Sequence, residues 1–247
     1  MPTIAVVIPS RNDAPMLQLC LAHLAAQSRP ADRIIVVDNG STDNTAEVCA
    51  AAGVHRIYWD VPGVAGASAF GFDAAGTDIL ARIDADSRPA PNWLARVEAD
   101  LGASGALSLV TGPGDFYGAS ALICWLGRTL YLGGYFHVVG FLLGHSPVFG
   151  SNYAMTADVW ARLSPAVTRD KPALHDDLDV SYLLRPDMSV VYDAGLRMAV
   201  SARPFESWSS LGRRLVMAWD TFVHEFATEH PLRRRAIRRQ WARAHLR

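Results

Sequence analysis

The sequence predicts an α/β protein built on a mostly parallel, doubly wound sheet flanked by helices, and three observations lead there. Short apolar runs rich in β-branched residues alternate with helix-like stretches through the first half of the chain. The segments between runs are long enough for right-handed βαβ crossovers. Polar residues collect directly after each run, at the edge where an open parallel sheet binds its ligands.

The elements follow in order. Residues 3–8 (TIAVVI) are continuously apolar, as a strand buried on both faces requires. Asp13 then stands as a helix cap with Pro15 in the first turn, and Leu17, Leu21 and Leu24 share one helical face up to residue 27. Residues 33–37 form a second strand closed by Asp38-Asn39-Gly40-Ser41, and a helix capped by Thr42 or Asp43 runs to residue 52. A third strand spans 55–59, a Gly/Ala-rich loop and helix 62–75, and a fourth strand 79–83. This arrangement puts Ser10-Arg11-Asn12, Asp38-Asn39, Asp60, and Asp84 with Asp86 at one edge of the sheet. In the second half, 107–112 and 189–193 read as strands and 156–163 and 176–184 as helices, and the chain is helical and basic from about residue 205. Between them lies a long apolar, aromatic stretch, read as a helical insert. The expected division is a domain over 1–205 and a helical basic extension over 206–247. Within the domain three parts are expected, 1–115, the hydrophobic segment 116–150 and 151–205.

Composition narrows the function. Half of the 247 residues are hydrophobic and the formal net charge is −1, which suits one large buried core. The charge is uneven: residues 231–247 hold seven arginines and no acid. Cys20, Cys49 and Cys124 form no CxxC pair, so they read as core residues in a reducing compartment. No basic stretch precedes an apolar run at the start, so a cytoplasmic N-terminus is expected. No GxGxxG follows the first strand, against a dinucleotide oxidoreductase. Pro9 to Pro15 lacks the glycine-rich loop of a nucleotidyltransferase, and no base-stacking motif accompanies the basic tail, against nucleic acid.

Two acidic clusters carry the chemistry. Asp84 and Asp86, one residue apart after a buried strand, can share a hard divalent cation and leave coordination positions for a diphosphate; the plainer alternative is an acidic turn. Asp176, Asp177 and Asp179 open a predicted helix after His175. Helix-dipole stabilisation accounts for one of them, and another can serve as general base, without the sequence choosing which.

At these positions the sequence resembles the inverting glycosyltransferases of family 2 with the GT-A fold. The resemblance rests on Ile8-Pro9-Ser10-Arg11-Asn12, on Val36-Val37-Asp38-Asn39-Gly40-Ser41-Thr42-Asp43 and on Ile83-Asp84-Ala85-Asp86-Ser87-Arg88-Pro89. It also rests on Gly150-Ser151-Asn152-Tyr153-Ala154-Met155 and His175-Asp176-Asp177-Leu178-Asp179-Val180-Ser181. These five stretches are in family order from residue 3 to about 205. The resemblance implies that Pro9 and Arg11 line a nucleoside pocket and that Asp38 and Asn39 contact base or ribose. It implies that Asp84 holds the ribose or diphosphate side and that Asp86 ligates Mg²⁺ or Mn²⁺. It makes Asp177 the catalytic base, with Asp176 and Asn152 on the acceptor side. The implied reaction is inverting transfer of a sugar from a UDP- or GDP-linked donor to an acceptor glycan or lipid-linked acceptor. Two departures stand out. The family's arginine after Gly63 is replaced around Ala67-Ser68-Ala69, leaving Arg82 and Arg88 as nearby cations. The Gln-x-x-Arg-Trp signature of processive synthases is absent, which favours one sugar per encounter.

Residues 120–144 have the length of a membrane span, but Arg128 and His137 are costly at bilayer depth. A single span would also separate Asp84 from Asp177. The expected alternatives are a buried helix pair, an interfacial hairpin or an apolar acceptor groove. Trp208, Trp219, Phe222 and Phe226 interleave with Arg213 and Arg214 ahead of the basic tail, a pattern suited to docking on an anionic membrane surface. The expected location is cytoplasmic, peripheral at the inner face of the cell membrane.

Overall fold

The computed structural model describes residues 1–171, 174–205, 208–227 and 229–245. Side chains at 208–211, 213–215 and 225 fall outside that description, and with them those of Trp208, Arg213 and Arg214. Strands are numbered in chain order. The main sheet comprises β1 (Ile4–Ser10), β2 (Arg33–Asp38), β3 (His55–Tyr58), β4 (Ile79–Arg82), β6 (Ser108–Thr111), β8 (Tyr153–Thr156) and β9 (Ser189–Tyr192). Its spatial order is β3-β2-β1-β4-β8-β6-β9. Every pairing is parallel except those of β8, which runs antiparallel between β4 and β6. A three-stranded sheet, β5 (Arg88–Pro89), β10 (Met198–Ser201) and β7 (Gly114–Tyr117), stands beside it.

The two-residue period of β1 divides the core into layers. Ile4, Val6 and Ile8 pack against Leu17, Leu21 and Leu24 of helix α1 (Ala14–Ala25). The same layer takes Trp93, Leu94 and Val97 of α4 (Trp93–Ser104); α2 (Thr45–Ala51) contributes Cys49. Ala5 and Val7 face the opposite way, onto Ala67 and Phe72 of α3 (Val64–Asp73). Val159 and Trp160 of α7 (Ala157–Leu163) and Val180 of α8 (Asp176–Leu183) complete that layer. α3 sits close to the sheet because Gly71 leaves room: a Cβ there would lie 2.4 Å from a Val7 methyl and 2.8 Å from one of Val37.

β1 is the point where the winding reverses, with β2 and β3 on one side and β4 on the other. Such a switch point opens a crevice at the carboxyl ends of its strands. Asn12, just beyond β1, has a left-handed φ of 52°, which asparagine tolerates better than most residues. Its side-chain oxygen accepts from the Thr42 N–H at 2.7 Å, and its own N–H donates to Ser41 Oγ at 3.1 Å. The loops after β1 and β2 are thereby locked together.

The apolar insert is one continuous helical run rather than a pair or a hairpin. It begins as α5 (Ala121–Leu126), widens into π-helical stretches at Gly127–Leu132 and Tyr135–Val139, and ends as α6 (Gly140–Leu143). Gly127 permits this packing, since a Cβ would lie 2.7 Å from the Phe205 ring and 2.9 Å from that of Phe116. Val139 and Leu143 pack on Leu178 and Tyr182 of α8 and on Ala218, Phe222 and Phe226 of α9 (Trp208–Phe226). Among the described residues no helix is long and apolar enough to cross a membrane.

α10 (Pro231–His245) carries most of the basic tail and folds back onto the domain. Arg234, buried, donates to the main-chain carbonyls of Tyr182 and Leu184, and Arg238 also reaches Leu184. These are end carbonyls of α8, which have no partner within a helix.

Candidate active site

A cavity of about 640 Å³ opens at the switch point between β1 and β4. Pro9, Ser10 and Arg11 line it from β1 and the loop beyond, and Arg82, Asp84 and Asp86 from the end of β4. Gly150 and Ser151 enter from the loop before β8, and His175, Asp176 and Asp177 from the start of α8. Tyr131, Leu132 and Tyr135 of the long helical run and Met217 and Ala218 of α9 form an apolar wall opposite.

Arg82 ties the acidic clusters together. Its Nη1 lies 2.8 Å from Asp84 Oδ1 and its Nη2 3.1 Å from Asp176 Oδ2, and its side chain is only 3% exposed. The neighbouring carboxylates hold its pKa above the ordinary arginine value despite burial. Asp176 also accepts from Ser68 Oγ at 2.7 Å. Ser68 lies in the helix where the family's arginine was expected, so that position now supports an acid. Asp84 accepts from Ser151 Oγ.

Asp177 sits beside this network. Its Oδ2 accepts the Gly150 N–H at 2.9 Å, its Oδ1 accepts the Leu178 N–H at 2.8 Å, and His175 Nδ1 stands 3.9 Å away. Burial raises its pKa, with Asp176 adding to the rise and His175, Arg82 and the Gly150 N–H opposing it. A carboxyl held above the ordinary range is a better proton acceptor. Gly150 must lack a side chain here: a Cβ would lie 2.9 Å from both Arg82 Nη1 and Asp177 Oδ2.

Asp86 faces the same cavity from the other side. Burial and the nearby Asp84 charge push its carboxyl up, and Arg203 opposes them. Arg203 Nη2 donates to Asp86 Oδ2 at 2.7 Å, while the same guanidinium grips Asp13 at 2.8 and 2.6 Å. Arg88 stacks over the Tyr117 ring at 3.8 Å, and the Tyr117 hydroxyl donates to the Asp86 carbonyl at 2.7 Å. Of the two cations noted near the absent arginine's place, Arg82 lines the cavity and Arg88 does not.

Six of the sequence-predicted residues thus converge: Pro9, Arg11, Asp84, Asp86, Asp176 and Asp177 line one cavity. Three do not line it. Asp38 is buried and bound by Arg56 Nε at 2.8 Å and by the Ser41 N–H at 2.8 Å. Burial alone would raise its carboxyl, but the bonds from Ser41 and Arg56 outweigh it and hold the carboxyl low. The Asn39 amide nitrogen donates to the carbonyls of Trp59 at 2.9 Å and Val61 at 2.7 Å, and its oxygen accepts the Gly63 N–H at 3.0 Å. Asn152 is fully buried, accepting from Trp93 Nε1 at 2.8 Å and donating to the Leu196 carbonyl at 2.5 Å. These amides and this carboxylate hold loops together around the cavity. Ser68, Ser151 and Arg203 were not picked out as site residues. Arg203 gave no signal, because it lies in a single 3-10 turn just past the four-residue strand β10, and its partners Asp13 and Asp86 are 190 and 117 positions away.

The chain is similar to several known proteins. A glycosyltransferase of Haloferax volcanii, AglE, is 30% identical over 124 residues, 47% of this chain and 40% of that protein. An uncharacterised glycosyltransferase of Mycobacterium tuberculosis is 39% identical over 109 residues, 44% of this chain and 47% of that protein. The matched stretch thus spans less than half the length of either relative. Among solved structures, glucosyl-3-phosphoglycerate synthase of M. tuberculosis, in complex with Mn²⁺, UDP and glucosyl-3-phosphoglycerate, superposes with a TM-score of 0.60. That match has 21% identity and covers 92% of this chain and 79% of that one. The same synthase with Mn²⁺, UDP-glucose and phosphoglyceric acid gives 0.61 at 20% identity, with 92% of this chain and 79% of that one covered. At that identity the likeness speaks for the GT-A fold. Residues 5–142, more than half of the chain, match the pattern of Glycosyl transferase family 2, and the chain belongs to that family.

Proposed function

We propose that this chain transfers a single sugar from a nucleotide-sugar donor to an acceptor hydroxyl, with inversion at the anomeric carbon and Asp177 as general base. One observation carries the reading: the Asp84/Asp86 pair and Asp177 line the same cavity, with Arg82 fixed between the two clusters.

The residues fit a divalent cation. Asp84 and Asp86 are hard oxygen donors whose mutual repulsion already raises Asp86, and a cation would relieve it. Among the described residues no three His, Cys or acidic side chains converge on one point, so the donor's oxygens would complete the shell. When bound, Mg²⁺ or Mn²⁺ would offset charge developing on the leaving diphosphate. The synthase structures, described with Mn²⁺ and UDP or UDP-glucose, favour a UDP-linked donor over a GDP-linked one.

The chain's own groups do the rest. Asp177 accepts the proton of the attacking hydroxyl. Arg82 holds Asp84 and Asp176 stationary through its two ion pairs, which fixes the geometry around the base. Pro9 and Arg11 bound the nucleoside end. Asp38 and Asn39 shape that end by holding its loops, and Asn152 anchors the loop carrying Gly150 and Ser151. Asp177→Asn is expected to leave donor binding intact and to abolish nearly all transfer, while Asp86→Asn weakens metal-dependent donor binding in calorimetry. Wild-type turnover in Asp177→Asn would remove Asp177 from the role. Tight UDP binding without transfer to any acceptor would instead favour a nucleotide-sugar-binding module.

A further inference from the structure

The helices that wall the cavity carry apolar side chains on their outer faces as well. Tyr131 lines the cavity, and its neighbour Leu130 is 66% exposed. Met217 and Ala218 line it from α9, and the residues flanking them, Val216 and Trp219, are 59% and 69% exposed. The outer apolar surface therefore borders the cavity wall. It continues along the same helices through Leu122, Trp125, Val138 and Phe141, and through Val223. Exposed apolar area on this scale marks an interaction face.

α10 borders this surface and supplies charge of one sign. Arg235 stacks over the Phe141 ring at 3.8 Å and reaches the Phe141 carbonyl, which joins α10 to α6. Arg233, Arg239 and Arg243 are exposed on α10, with Leu232 just before them, Ile237 among them, both exposed, and no acid along the helix. Asp220 on α9 is an exposed acid beside Trp219 and is outnumbered by these arginines. Large apolar side chains bordered by arginines match the boundary between acyl chains and anionic headgroups. A second copy of the chain would bring the same arginines against one another.

We propose that this face, formed by the 121–143 helical run, α9 and α10, seats on an anionic phospholipid bilayer with the cavity mouth turned toward it. The acceptor is then a lipid-linked molecule, an identification that rests on the transferase reading above. The cavity suits such a molecule. Its carboxylate end receives the hydroxyl, and Tyr131, Leu132, Tyr135 and Met217 offer an apolar wall to the part nearer the lipid.

Vesicle flotation of the full chain tests this. The protein should float with phosphatidylcholine vesicles containing phosphatidylglycerol, stay behind with phosphatidylcholine alone, and be released by high salt. Combined Leu130→Glu and Trp219→Glu should weaken binding by at least about tenfold. Combined Arg233→Ala, Arg239→Ala and Arg243→Ala should weaken it on the order of a hundredfold. All variants should melt with the wild type and bind UDP with Mn²⁺ equally well in solution. That solution binding separates a failure of docking from a failure of the nucleotide-sugar reading. Flotation that ignores vesicle charge, undiminished flotation of the Leu130/Trp219 variant, or a vesicle-indifferent dimer split by that variant would each overturn the proposal.

Discussion

Replacing Arg82 by methionine is the sharpest probe of the network. Methionine roughly fills the volume of the arginine stem but leaves two carboxylates without their shared cation. Asp176 is 8% exposed at the side chain and Asp84 37%, so Asp176 bears most of the penalty and Asp84 is largely rescued by water. Breaking a buried ion pair by removing one partner costs about 3–5 kcal/mol. In a chain of this size each kcal/mol shifts the melting temperature by about 2–4 °C, so the deficit should be about 6–20 °C. The pH dependence has a definite sign. Burial raises the Asp177 carboxyl and Arg82 is one of the charges that oppose the rise, so without Arg82 that carboxyl moves further above its unfolded-state value. A carboxyl raised in the folded state withdraws stability as pH rises from its ordinary value through the raised one. The deficit relative to wild type is therefore largest at neutral pH and narrows toward acid. Calorimetric melts of both proteins across that range measure it. Arg82→Lys should recover only part, because one ammonium cannot span two carboxylates as a planar fork does. A deficit below about 1 kcal/mol, or one that does not narrow in acid, would refute the reasoning.

Four other outcomes are expected. Asp177→Asn should lower kcat by about 10²- to 10⁴-fold. It should also raise the melting temperature at neutral pH, since it removes a carboxylate that burial disfavours. In the active enzyme, the acid limb of kcat/KM should lie above the ordinary carboxylate value, with the rate falling as pH drops through it because the base must be ionised. Gly150→Ala places a methyl 2.9 Å from both Arg82 Nη1 and Asp177 Oδ2. It should lose about 1–3 kcal/mol of stability and about tenfold to a hundredfold in kcat, read by urea denaturation and initial rates. Arg203→Ala frees Asp86 from its guanidinium partner and should tighten nucleotide-free Mn²⁺ binding in calorimetry by roughly two- to fivefold, a small effect because the pair is partly solvated.

The parallel half of the sheet was legible because buried parallel strands are locally apolar: TIAVVI and RIIVVD need no partner to be recognised. β8 was not. Tyr153–Thr156 is four residues long, and what makes it a strand is insertion between β4 and β6, a pairing to segments some 40 to 75 positions away. The β5-β10-β7 sheet escaped for the same reason. In the apolar insert, Gly127 admits the Phe205 and Phe116 rings against the helical run, which no local pattern announces. At the site, the carboxylates were legible because each follows a recognisable strand or opens a helix. Asn39 and Asn152 were not interpretable beyond their residue type: an amide serves a ligand or a distant carbonyl equally well, and here Trp59, Val61 and Leu196 take it. Arg82 stood in the sequence as a lone charge within an apolar run, but its two partners come from the strand end and from a helix 94 positions onward.

The clasp between Arg234, Arg238 and the end of α8 has a practical consequence. The helix bearing Asp177 is fastened at its far end by a segment that resembles a dispensable tail. Proteolytic clipping between α9 and α10 would unfasten it, leaving the carbonyls of Tyr182 and Leu184 to water and the proposed base on a looser support. A protein trimmed there could keep its nucleotide pocket and still turn over sluggishly, a loss easily misread as damage to the chemistry.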